Sequence, residues 1–99
     1  MIGTAELQLW HRLVFLRRAR FRDCKALLRL ASFAVEGICG EVAVRQIACR
    51  SCPPDLRIDI DVGTRAGALL VDALRALARR EYGDGGLIED RLLPPGHSR

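Results

Sequence analysis

The sequence predicts a small α+β domain with the element order β-α-β-β-α-β, a four-stranded antiparallel sheet with two helices on one face. Three observations predict it. Leu56-Arg57-Ile58-Asp59-Ile60-Asp61-Val62 alternates apolar and polar residues without a fault, the period of a strand with one buried face. Two segments carry apolar residues at helical spacing behind good capping residues. Turn chemistry, Ser51-Cys52-Pro53-Pro54-Asp55, separates two strand-like runs and implies an antiparallel hairpin.

The first element falls within residues 4–15. Thr4 to Leu9 alternates, and the odd positions continue as His11, Leu13 and Phe15, which favours a strand. A helix would also explain Leu7, Trp10, Leu13 and Val14. The basic stretch 17–22 then reads as a loop. Asp23 suits the N-cap of a helix running to about Glu36, with Cys24, Leu27, Leu28, Ala31, Ala34 and Val35 on its buried face. Gly37 stands where a left-handed residue ends a helix. A second strand is expected over Glu41–Arg50, with a bulge near Gln46-Ile47 where alternation breaks. Thr64 caps a second helix over 65–81 that buries Ala66, Leu69, Leu70, Ala73, Leu74 and Leu77. Gly83-Asp84-Gly85-Gly86 stops it. Leu87 to Leu93 forms a short last strand, its alternation broken at Asp90-Arg91. Residues 1–93 thus make one domain, and 94–99 a disordered tail.

The 99 residues carry 28% charged and 49% hydrophobic side chains, a composition that folds. The net charge of +4 comes almost wholly from arginine, with Lys25 the only lysine. Arg12, Arg17, Arg18, Arg20, Arg22 and Lys25 hold much of the excess, as a solvated surface or as a phosphate contact. Aromatic residues are few, which argues against a base-stacking surface and makes nucleic acid an unlikely partner. Neither a secretory leader nor a membrane-spanning stretch is legible, so the expected location is the cytoplasm, with reduced thiols.

Catalysis finds little support, and the sequence reads as a non-enzyme. His97 lies in the tail, and no Ser-His-acid set follows from spacing. Asp59 and Asp61 share one strand face about 7 Å apart, where carboxylates are usually solvated or paired with arginine. Cys49-Arg50-Ser51-Cys52 is a CxxC at the mouth of the hairpin, a candidate redox pair or half of a zinc site. Only Cys39, Cys24 and His11 are at hand as further zinc donors. Gly83-Asp84-Gly85-Gly86 can present successive backbone N–H groups to an anion, with Arg79 and Arg80 one turn upstream.

The stretch Asp23 to Ile47, with Gly37-Ile38-Cys39-Gly40-Glu41-Val42-Ala43-Val44, resembles the first helix and second strand of P-II nitrogen regulatory proteins. Pro54 to Val62, the second helix and Tyr82-Gly83-Asp84-Gly85 resemble that family's third strand, second helix and phosphate-binding loop. Together these cover about two-thirds of the chain, and their order and spacing carry the likeness more than any single motif. The resemblance implies a homotrimer of ferredoxin-like subunits that binds an adenine nucleotide (ATP, ADP or AMP) between subunits and signals to a protein partner. Gly83, Asp84, Gly85 and Gly86 would then wrap the phosphates, with Arg50 and Arg91 reaching across the subunit cleft, and Gly85→Val would abolish binding by blocking a positive φ. The chain departs from the family in three places. The long loop between strands two and three is missing, Ala48-Cys49-Arg50 replaces Gly-aromatic-Gly, and Gly86 stands where a lysine is expected. A shortened P-II-like relative fits these departures better than an ordinary nitrogen regulator. Two rivals remain: a small nucleic-acid-binding regulator in which Val42 to Arg50 is a helix of a winged-helix domain, and a structural ferredoxin-like assembly module.

Overall fold

A computed structural model describes residues 8–16, 23–38, 42–48 and 55–94. The elements run β1 (Trp10–Leu16), α1 (Cys24–Ala34), β2 (Val44–Ala48), β3 (Asp55–Asp61), α2 (Arg65–Tyr82), a single 3-10 turn (Gly83–Gly85) and β4 (Leu87–Leu92). The four strands form one antiparallel sheet in the order β2-β3-β1-β4. The fold is the ferredoxin-like α+β arrangement that the sequence predicts. Val44–Ala48 is a strand, so the winged-helix reading, which needs a helix there, is set aside.

The core forms where the even residues of β3 meet the odd residues of β1. Leu56, Ile58 and Ile60 pack with Leu13 and Phe15 under both helices. In α1, the Asp23 carboxylate accepts a hydrogen bond from the Ala26 N–H at 2.8 Å, an N-cap worth about 1 kcal/mol. Cys24, Leu27 and Ala31 are its buried residues. The helix ends at Ala34, two residues before the expected stop, because Glu36 and Gly37 both take positive φ. In α2, Thr64 Oγ1 accepts from the Gly67 N–H at 3.1 Å. Its buried set is Gly67, Leu70, Val71, Leu74, Leu77 and Ala78. The expected face was therefore rotated by about one residue: Leu69 is exposed, and Val71 and Ala78 replace Ala66 and Ala73.

Two expected irregularities lie elsewhere. β2 pairs with β3 in unbroken register from Val44↔Ile60 to Ala48↔Leu56, so no bulge occurs at Gln46-Ile47. The register shift is instead between β1 and β4, where Val14 faces Glu89 and Phe15 faces Leu87. Ile88 is the extra residue. Asp90 and Arg91 alternate normally, Asp90 towards the helices and Arg91 away from them. The bulge lets Leu87, the partner of Phe15, and Asp90, the partner of Leu13, share the helix side of β4.

The other sheet face holds a charged layer. Asp59 is 0% exposed in the middle of it. Its carboxylate accepts hydrogen bonds from Arg12 Nε at 2.9 Å, Arg12 Nη2 at 3.1 Å and Arg45 Nη2 at 3.3 Å. The Arg45 guanidinium lies 4.1 Å from the centre of the Trp10 ring, a cation–π contact. Asp59 is thus paired with arginine, one of the two environments expected for it. Asp61, two residues on, accepts instead from the backbone N–H groups of Leu9 (3.3 Å) and Gly63 (2.9 Å).

Candidate functional site

The helix side of the β4 edge gathers the chemistry. Arg75, from the middle of α2, donates to Asp90 of β4 from Nε at 2.6 Å and from Nη2 at 2.9 Å, a bidentate pair. Its Nη1 donates to Asp72 one turn earlier at 3.1 Å. His11 of β1 reaches the same Asp90 carboxylate through Nε2, which also lies 3.4 Å from Arg75 Nη2. The hydrogen bonds from Arg75 hold the Asp90 carboxyl below the usual carboxylate range; burial opposes this and His11 adds to it. The same bonds raise the Arg75 guanidinium above its ordinary value.

A cleft of about 210 Å³ opens on one side of this cluster, lined by Arg75, Ala78, Arg79, Gly83, Leu87 and Asp90. A second, of about 190 Å³, lies on the other side against His11, Val62, Ala68, Val71, Asp72 and Arg75. Neither is lined by serine, threonine or cysteine. Arg79 is exposed and forms no ion pair among the described residues.

Gly83 and Arg79 line one cleft, while Gly85 and Gly86 are not among its described lining residues. Gly83 has φ +73° and ψ −148°, a conformation reserved for glycine, and its N–H donates to the Arg79 carbonyl to end α2. Gly85 does not have a positive φ, and a Cβ there would meet nothing within 4 Å. The reason given for Gly85→Val is therefore corrected: the left-handed residue of the turn is Gly83. Gly86 is the crowded one, since a Cβ there would lie 2.2 Å from the Tyr82 side chain. Asp84 is placed by its backbone, inside the 3-10 turn. Arg91 sits on the opposite sheet face, where its Nε donates to Glu89 at 2.5 Å, so it does not reach the cleft of its own chain. Arg50, Cys49 and Cys52 lie outside the described residues. Of the other zinc candidates, Cys24 is buried in the core and His11 is engaged with Asp90, while Cys39 is also outside.

The His11–Asp90–Arg75 cluster was missed by sequence reasoning. Its members are 15 to 79 residues apart, and Asp90 was read as a break in alternation rather than as an inward carboxylate. The one available signal was the odd-position pattern of β1, which already put His11 on the core side.

Among the described residues no helix is long and apolar enough to cross a membrane. No family model, no curated protein and no solved structure matches the chain.

Proposed function

We propose that this chain is a regulatory domain of the P-II-like kind that binds a small phosphate-bearing molecule, an adenine nucleotide, in the cleft beside Gly83. The observation that carries the reading is the free guanidinium of Arg79 on the same 210 Å³ cleft as the Gly83 turn. Arg75 adds a second guanidinium already fixed in place by Asp90 and Asp72. Asp90 and Asp72 balance Arg75, so the attraction for phosphate at this cleft comes from Arg79 together with the outward N–H groups of Arg75. The cleft is smaller than the several hundred Å³ of a typical site for a whole ligand. It suits the phosphate end, with a neighbouring copy covering the base. The Asp90 carboxylate is committed to Arg75 and His11, which suits binding rather than catalysis, and a nucleotide sensor belongs in the cytoplasm beside the protein it regulates.

A nucleic-acid role is less well supported. The sheet face carries Arg12, Arg45, Arg57 and Arg91 against Asp55, Asp59, Asp61 and Glu89, which balances its charge. Its one aromatic ring, Trp10, is only 8% exposed under Arg45. Stacking of bases needs free rings and a positive field.

Calorimetry with AMP, ADP and ATP tests the proposal. Without the lysine at Gly86, binding is expected at tens of micromolar or weaker. Arg79→Ala should weaken it a further tenfold or so, the loss of one charge-assisted contact. Absence of binding by all three nucleotides at millimolar concentration would remove the nucleotide reading and leave an assembly module.

A further inference from the structure

We infer that the free edge of β4 is a self-recognition surface, on which a second copy of this chain pairs antiparallel across a two-fold axis at Asp90. The inference rests on the strand edge alone and stands or falls apart from nucleotide binding.

β4 is the last strand of the sheet, with β1 on one side and no described strand on the other. Glu89, Arg91 and Leu93 turn their backbone groups to β1, a phase set by the Leu93 N–H donating to the Trp10 carbonyl at 2.8 Å. Alternation then turns the N–H and C=O of Asp90 and Leu92 outward, along an edge that has no partner strand among the described residues. Ile88 and Leu92 flank it, each 52% exposed. Two large apolar side chains, four residues apart on an open edge, are an ordinary mark of a buried contact.

The sequence of the strand selects the partner and the register. Antiparallel pairing requires outward residues of one strand to face outward residues of the other. With Asp90 opposite Asp90, Glu89 faces Arg91, and Ile88, the extra residue of the bulge, lies at the end of the regular ladder beside Leu92; the two-fold axis makes each of these contacts twice. Shifting by one step in either direction places Glu89 opposite Glu89, or Arg91 opposite Arg91, and opposes an apolar residue to Asp90. One register therefore satisfies both apolar and charged pairs, and its neighbours satisfy neither. The remaining like-charged pair, Asp90 with Asp90, is compensated inside each chain by the bidentate Arg75. This arrangement yields a continuous eight-stranded sheet of two copies, in place of the three copies that the P-II-like resemblance implies.

Charge reversal tests it with the full chain, by sedimentation velocity at micromolar concentration, with circular dichroism to confirm folding. Wild type should sediment at twice the 11.0 kDa chain mass. Glu89→Arg leaves arginine opposite arginine, and Arg91→Glu leaves glutamate opposite glutamate. Each should weaken self-association about tenfold or more. An equimolar mixture of the two should pair, and the double variant Glu89→Arg/Arg91→Glu should recover the wild-type dimer. Recovery on mixing cannot come from misfolded chains. A wild-type monomer, a wild-type trimer, single variants that dimerise like wild type, or a mixture that stays monomeric would each overturn the inference.

Discussion

Replacing Asp59 by alanine should be among the most damaging single changes to this fold. The side chain is fully buried and accepts three hydrogen bonds from two guanidinium groups. The bond to Asp59 raises the Arg12 guanidinium above its ordinary value. With Asp59 gone that support is lost, yet a guanidinium keeps its proton at neutral pH, so the charge remains. Removing one member of a buried ion pair costs about 3–5 kcal/mol, because the remaining charge is left without compensation. Here the Arg12 side chain is 13% exposed and that of Arg45 33%, so each recovers some hydration, and about 2–4 kcal/mol is the reasoned cost. Against a total stability of about 5–15 kcal/mol for a domain of this size, that is a large share. Urea unfolding followed by circular dichroism measures it. The charges of this layer matter for their mutual compensation rather than for stability as such. Replacing all three residues by apolar ones of similar volume, Arg12→Met, Asp59→Leu and Arg45→Met, should cost far less than Asp59→Ala alone. A loss below about 1 kcal/mol for Asp59→Ala, or a triple variant no more stable than the single, would refute the reasoning.

The Asp90 carboxyl is depressed in the folded state, so its ion pair contributes stability at neutral pH that is lost as pH falls from about 4 through the folded-state value. Asp90→Asn should therefore flatten the acid limb of a plot of stability against pH, and an unchanged limb would contradict the assignment. Gly83→Ala should cost about 1–3 kcal/mol through its positive φ, whereas Gly85→Ala, with open space around it, should stay within about 0.5 kcal/mol; thermal melts separate the two.

Much of the architecture was legible because local signals agreed. Asp23 and Thr64 cap as their chemistry dictates, and the alternation over residues 56–62 states which face of β3 is buried. What stayed hidden depended on residues distant in sequence. The one-residue rotation of α2 follows from its packing against α1 and the sheet together, which buries Val71 and Ala78 rather than Leu69. The bulge at Ile88 is set by pairing with β1, and without it the alternation of β4 is read out of phase. The charged layer around Asp59 was half legible: the strand gave the carboxylate its face, but nothing local names Arg12 and Arg45 as its partners. For the site, Gly83 and Arg79 were within reach, being four residues apart on one helix end. Arg75, Asp90 and His11 come from three elements and meet only in the closed sheet.

β1 is central in the sheet, yet it is the first strand in the chain, and both its neighbours, β3 and β4, come later. A chain leaving the ribosome therefore exposes its middle strand long before either flank exists to cover it. The first flank arrives with residues 55–61 and the second only with 87–92. Before β3 emerges, Leu13 and Phe15 lack the residues of β3 that they pack against, and after it one edge of β1 stays uncovered until β4 follows. Truncation before residue 87 should leave a chain held in that unfinished state, prone to association through β1.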